Sequence, residues 1–388
     1  MSGSRLLVLD AVNVSSPGGM QLQLQLARSA LQRRPPGSEL LLLQADTEDA
    51  PAADPEVRLE RFPPRRGWGA MARWFARELP GIARARGADA VYSLSGILSP
   101  ALCREFATVN TINNMLPFTP EQIRYFPFWS PDRQRFYLLR FAYVWSSKRA
   151  DALVVPSRFA LTAMAPYAGN LAGKAFVAMN PVPERVRVRP EDPPAHPHGG
   201  RPFFFYLSVV FWYKNHLTLI EGYRRALAAE PDLPDLLMAG PPTETAYVRQ
   251  IEAAIARAGT EKIRYLGRVD QALIPGYLHH ATINVFPSLC ETNSFVQGEI
   301  LGAGGVMACS NLGPMPEIAG GAAELFDPRD PDAIAATLRT LWKDERRQRE
   351  LREKALARAA TFTWDACGDA LWQAVSYARE SFAARRRA

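Results

Sequence analysis

Residues 285–299 read VFPSLCETNSFVQGE, and this stretch decides the fold. Ile283, Val285 and Phe286 close a strand, and Pro287 stops it. Glu291 falls in the loop that follows. Asn293 or Ser294 then caps a helix, and Ser294 with Gln297 has the Ser-x-x-Gln spacing of a capping box. Glu299 lies just over one turn inside, on what are expected to be the first exposed turns. The pattern is a carboxylate at the carboxyl end of a strand, a helix start beside it and a second carboxylate further along. Open α/β sheets bind ligands at that edge. The free N–H groups of a helix start attract anions there, by roughly 0.3–1 kcal/mol per favourable charge. A ligand carrying both phosphate and hydroxyls suits such a loop. A capped helix with two solvated glutamates is the plainer alternative.

The chain has 388 residues, too many for one ordinary core, so two domains are expected. Its 47% hydrophobic and 22% charged residues are those of a soluble globular protein. No apolar run approaches the ~20 residues of a membrane span. The start, Ser4 to Leu9, is interrupted by Asp10 too early for a signal peptide and reads as a buried strand, so a cytoplasmic chain is expected. Cys103, Cys290, Cys309 and Cys367 have no paired spacing, so neither zinc nor a disulfide framework is expected. The net charge of +7 favours anionic partners, and no nucleic-acid motif is present.

Outward from the first strand, Asn13 to Met20 form a Ser/Pro/Gly turn before an apolar–polar helix. Gly18 and Gly19 permit positive φ and close approach of a ligand or another backbone. The turn is not the GxGxxG of dinucleotide sites. Short strands follow at 40–43, 91–93, 106–112 and 152–156, and Asn113 and Asn114 place polar side chains at one strand exit. Between them, Arg61 to Arg86 is basic and contains Trp68 and Trp74. It reads either as a segment lying on an anionic membrane surface or as a domain helix with an Arg-rich outside. Glu121 to Lys148 reads as a helical stretch dense in aromatics and arginine.

Asn180 to Pro202 is rich in Pro, Arg and Gly without periodicity, the best linker in the chain. The boundaries are therefore residues 1–180, a linker 181–202, residues 203–362 and a C-terminal helix 363–388 that could return to the first domain. Within the second domain, Lys214 opens the helix that starts near Asn215. A cation there opposes the helix dipole unless an anion lies over the junction. Asp330-Pro331-Asp332 has a metal-like spacing but stands at a helix start, where capping is expected.

Taken together, these residues resemble the donor domain of retaining, GT-B-fold glycosyltransferases of the family 4 (group 1) type. The resemblance spans about Phe203 to Asp332. It rests on Lys214-Asn215, Ala239-Gly240, Leu266 to Val269, the Glu291/Glu299 pair and the Gly313 to Glu317 turn. It implies two Rossmann-like α/β domains with parallel sheets facing across a cleft. Glu291 would hold donor-sugar hydroxyls, Glu299 the ribose, and Lys214 the diphosphate, with N–H groups near Asn293, Ser294 and Phe295. Gly267 to Val269 would border the base. Gly18 and Gly19 would approach the phosphate, and Asn113 and Asn114 would lie on the acceptor side. The sequence departs from the family's pattern at three places. Ser208 and Val209 stand where an Arg often precedes the Lys, Thr292-Asn293-Ser294 replace Gly-Phe-Gly, and Asn113 replaces a His.

The resemblance implies transfer from a nucleotide diphosphate-sugar to an acceptor hydroxyl with retention, without metal or cofactor. A lipid-linked glycan of bacterial surface polysaccharide is the acceptor first expected, with the enzyme peripheral on the inner membrane face. A glycoside hydrolase also uses two carboxylates, a dehydrogenase would want the missing fingerprint, and a non-catalytic nucleotide-sugar-binding protein would keep the fold alone.

Overall fold

A computed structural model describes residues 5–14, 17–48, 50–188 and 193–387. The turn residues Ser15 and Ser16 lie outside them. The chain forms two compact units, Met1–Met179 with Thr363–Ala388, and Asn180–Phe362.

The first unit is built on a parallel sheet of β1 (Arg5–Ala11), β2 (Ser38–Ala45), β3 (Leu59–Phe62), β4 (Ala88–Ser93), β5 (Ala107–Asn110), β6 (Ala152–Val155) and β7 (Ala175–Val177). The order is β3-β2-β1-β4-β5-β6-β7, so the chain reverses its direction of growth between β1 and β4. Side chains alternate across the sheet. Leu7, Leu9, Ala90, Tyr92 and Val109 join one core with Leu24 of helix Pro17–Gln32 and with Leu371, Trp372 and Val375 of helix Trp364–Arg387. Ser29 Oγ donates to Trp364 O at 2.6 Å and Trp372 Nε1 to Ala30 O at 2.7 Å. Arg379 grips Asp89 through two bonds of 2.6 and 3.0 Å. The chain's last helix therefore completes the first unit, and it runs through the terminal arginines.

Two expectations change here. The segment from Arg61 to Arg86 begins in the edge strand β3, and it buries Trp74 completely and Phe75 almost so. Arg65 lies over the Trp74 ring at 5.0 Å and pairs with Glu78 at 2.6 Å, while Arg86 pairs with Glu60 at 2.7 Å. Trp74 is core and Arg65, Arg84 and Arg86 are paired with carboxylates, whereas Trp68 is half exposed, so the segment keeps one tryptophan on its outside. The stretch from Glu121 to Lys148 is a short helix, Pro120–Ile123, and a long one, Pro131–Arg149, capped by Ser130. Pro127 and Pro131 break it, because the residue before a proline is pushed out of the helical region.

The second unit carries β8 (Phe203–Leu207), β9 (Asp235–Ala239), β10 (Ile263–Tyr265), β11 (Ile283–Phe286), β12 (Met307–Ser310) and β13 (Glu324–Phe326). Their parallel order, β10-β9-β8-β11-β12-β13, reverses between β8 and β11. The supposed linker belongs to this unit. Val182 N donates to Phe362 O at 3.2 Å, Val188 N to Gly302 O at 3.2 Å, and Arg187 Nη2 to Phe362 O at 3.1 Å. A Cβ on Gly302 would come within 2.3 Å of Val182, so the helix and this segment touch at backbone distance. Proline removes periodicity and donors from a segment without preventing it from packing. Among the described residues no helix is long and apolar enough to cross a membrane.

Candidate functional site at the carboxyl edge of the second sheet

The reversal point between β8 and β11 opens a crevice at the carboxyl ends of the strands, where such sheets bind ligands. The loop after β8 supplies Lys214 and the loop after β11 supplies Glu291. Lys214 Nζ lies 2.6 Å from Glu291 Oε1, with only 12% and 10% of the two side chains exposed. The expected cost of a cation beside the helix start is offset by this carboxylate. The helix itself begins at His216, after a tight turn Trp212–Lys214.

Asn215 shapes that turn. It takes the left-handed conformation, φ 65°, which Asn tolerates better than most residues. Its Nδ2 donates to Pro287 O at 3.2 Å and Pro328 O at 2.7 Å, and its Oδ1 accepts from Thr218 Oγ1 at 2.6 Å. The side chain locks the two loops together and so holds Lys214 in place. Tyr206 adds a bond from its hydroxyl to Lys214 O at 2.6 Å. His216, fully enclosed beside it, is pushed down to about 3 by burial and by the neighbouring Lys214 charge.

Ser294 caps helix Phe295–Gly302, its Oγ accepting from Gln297 N at 3.3 Å. The return half of the capping box is not made: Gln297 Oε1, which would accept from Ser294 N, is shielded without a partner, and Nε2 donates to Met315 O at 3.4 Å. Asn293 Nδ2 is shielded from solvent without a hydrogen-bond partner, and Phe295 is exposed. Glu299 corrects the sequence reading. It is buried, not exposed, and burial raises its carboxyl despite the opposing charge of Arg185, with which it forms a close ion pair. Arg185 was hidden in the supposed linker, and its only sequence signal is the charged run from Glu184 to Arg187. Gly267, at φ 66°, and Val269 lie at the exit of β10. Gly240 N donates to Gly267 O at 2.8 Å, and a Cβ on Gly240 would fall 1.7 Å from Ser208 O, so only glycine fits there. Asp330 caps helix Pro331–Lys343 through Asp332 N at 2.8 Å, as expected of that pair.

The model of the family described as Glycosyl transferases group 1 matches residues 188–358, which hold the whole ion-paired edge apart from Arg185. Residues 188–358, somewhat under half of the chain, are thus similar to a group 1 glycosyl transferase domain. O-antigen chain mannosyltransferase B of Escherichia coli is 33% identical over 105 residues, 27% of this chain and 28% of that protein. The serotype-specific mannosyltransferase WbdA of Escherichia coli is 35% identical over 80 residues, 21% of this chain and 10% of that one. The chain thus spans under a third of the length of the curated relatives it matches. Solved structures match over nearly the full length. Sucrose-phosphate synthase from Thermosynechococcus elongatus superposes with a TM-score of 0.74 at 17% identity, covering 95% of this chain and 98% of the other. Anabaena Alr3699/HepE in complex with UDP gives 0.70 at 19%, covering 96% and 99%. The architecture is the GT-B fold.

Outside the matched residues, the first unit treats its predicted residues differently. Gly18 and Gly19 do not form a turn; both lie in the first turn of helix Pro17–Gln32. Asn113 Nδ2 donates to Leu94 O at 3.0 Å, and Asn114 Oδ1 accepts from Leu116 N at 3.0 Å, so both amides hold loops. A row that sequence reading missed crosses the reversal point of this sheet. Asp10, Ser93 and Asn110 are adjacent in register on β1, β4 and β5, all fully buried, on the face opposite the core. Asp10 Oδ1 accepts from Trp74 Nε1 at 3.1 Å and Val12 N at 3.4 Å, while Oδ2 is shielded without a partner. Burial pushes Asp10 up to about 7 against those two bonds.

Proposed function

We propose that the protein is a retaining, metal-independent hexosyltransferase that moves a sugar from a nucleotide diphosphate-sugar to an acceptor hydroxyl. The observation carrying this reading is the Lys214–Glu291 pair across the reversal point of the donor-type sheet. In the resting protein the two groups satisfy each other. A bound donor would take Lys214 onto its diphosphate and leave Glu291 to accept from sugar hydroxyls. Ser294 caps the helix and directs its first free N–H groups to the same phosphates. Asn293 Nδ2 is a spare donor for the same ligand. Glu299, paired with Arg185, would accept from the ribose, and Arg185 would supply the cation absent from Ser208 and Val209.

In the transfer, the bond from the anomeric carbon to the phosphate oxygen breaks and the bond to the acceptor oxygen forms on the same face. The acceptor proton passes to the departing phosphate oxygen. Lys214 and the helix N–H groups stabilise the charge that develops there, a preorganised electrostatic role. A hydrolase would need two carboxylates flanking one bond, whereas Glu291 and Glu299 are each committed to a separate cation. The O-antigen mannosyltransferase relative makes a mannosyl nucleotide the first donor to try and an O-antigen-type glycan the first acceptor; we take that glycan to be lipid-linked and handled at the inner face of the cytoplasmic membrane. Proton NMR of the product from such a mixture, prepared with chelator, tests the reading. An anomeric configuration equal to the donor's supports it; an inverted product, or turnover only when metal is restored, overturns it.

A further inference from the structure

Helix Pro131–Arg149 has apolar residues all the way round. At about 100° per residue, Leu139, Tyr143, Ser146 and Ser147 share one face, and all four are buried. The opposite face carries Tyr137, Leu138, Phe141, Trp145, Lys148 and Arg149. Leu138 is 55% exposed and Phe141 72%. Just before the helix, Phe128 is half exposed and Trp129 is 84% exposed. Isolated exposed apolar residues are ordinary, but a run of this size along one edge marks a contact surface.

Its basic groups identify the partner. Residues 121–149 hold six Arg or Lys against two carboxylates. At the C-terminal end of the stripe, Trp145, Lys148 and Arg149 line a pocket of about 520 Å³ with Cys103, Arg104 and Arg385. Among the described residues no carboxylate lines it. Arg385 is already bound to Asp151 at 3.0 Å and to Cys103 O at 2.8 Å, which leaves Arg104, Lys148 and Arg149 to face an outside anion. Aromatic rings beside basic side chains suit the boundary of a bilayer, where rings enter the headgroup layer and cations meet lipid phosphate.

We infer that this face of the first unit docks on an anionic lipid bilayer, with Trp129, Leu138 and Phe141 entering the headgroup layer and the Arg104/Lys148/Arg149 pocket taking a lipid phosphate. The surface differs from the 61–86 segment, where Trp74 is in the core and Trp68 stands alone on the outside, and it does not depend on the transfer reaction. Two copies of this face would set like charges against each other, which disfavours a dimer contact.

Sedimentation of the full chain with vesicles tests it, using phosphatidylcholine alone and with phosphatidylglycerol added, at low and high salt. Binding should appear only with the anionic lipid and weaken with salt. The variant L138S/F141S should bind at least about tenfold more weakly with an unchanged melting temperature, because both side chains are exposed. K148E/R149E should lose the preference for anionic lipid. Absence of wild-type binding to the anionic vesicles would overturn the inference, as would undiminished binding by L138S/F141S. A wild-type dimer that this variant converts to monomer would assign the face to a second copy instead.

Discussion

The two sheets share one plan, a central strand beside which the chain reverses its direction of growth, yet they furnish that point in opposite ways. In the second unit the reversal is flanked by charge: Lys214 with Glu291, and nearby Glu299 with Arg185. In the first it is flanked by a sealed polar row, Asp10, Ser93 and Asn110, whose one carboxyl is pushed up to about 7 by burial. The Lys214–Glu291 pair is buried on both sides and contributes little to stability, since desolvation consumes most of its attraction, whereas Arg185 is half exposed. Under the proposed function, these pairs are what a polyanionic, hydroxyl-rich ligand would meet at the edge of the second sheet. The row in the first unit shapes a scaffold.

The contrast can be broken most severely at Lys214. Lys214→Ala should lower kcat/KM by about 10²–10³, the scale of one lost donor to a developing oxyanion. A melt must accompany the assay, since an uncompensated buried Glu291 destabilises by about 3–5 kcal/mol. Activity within a few fold of wild type in a folded variant would dissolve the contrast.

Asp10→Asn probes the other side. With the folded carboxyl near 7 and its ordinary value at 3.8, the folded state binds the extra proton between these values. Wild-type stability therefore falls as pH rises from about 4 to about 7 and is then flat. The variant should be more stable at pH 8, by up to about 4 kcal/mol, and close to wild type at pH 4. Parallel pH–stability curves for the two proteins would show that Asp10 is not the buried carboxyl described. His216 slopes the wild-type curve the other way, its stability lost as pH falls from about 6.5 toward 3, so the difference between the two proteins is the informative quantity. The smallest effect is at the cap: Ser294→Ala should cost about 0.5–2 kcal/mol of stability. It should also weaken donor binding, because the helix start loses its fixed geometry; an unchanged donor affinity would remove that helix from the site.

Much of this was legible in the chain. Strands buried on both faces read as apolar runs, and β8 and β11 fall where expected. The cap at Ser294 was visible because capping is a local hydrogen bond between residues three apart. What failed was non-local. Glu299 reads as surface because nothing near it in sequence announces Arg185, and Arg185 reads as linker because proline hides packing. Trp74 looks like a membrane anchor until Asp10, on β1, is found to accept from its indole. The edge strands β3 and β7 are too short to show a period.

The central claim is that the charged edge of the second unit holds a nucleotide diphosphate-sugar. Thermal shift of the wild type and Glu299→Ala against GDP-, UDP-, ADP- and dTDP-sugars, with chelator present, tests it most directly. One nucleotide class at about 100 times its dissociation constant should stabilise the wild type by roughly 2.7 kcal/mol and the variant clearly less. Stabilisation of neither protein by any nucleotide, or equal stabilisation of both, would contradict the assignment of that edge as the donor site.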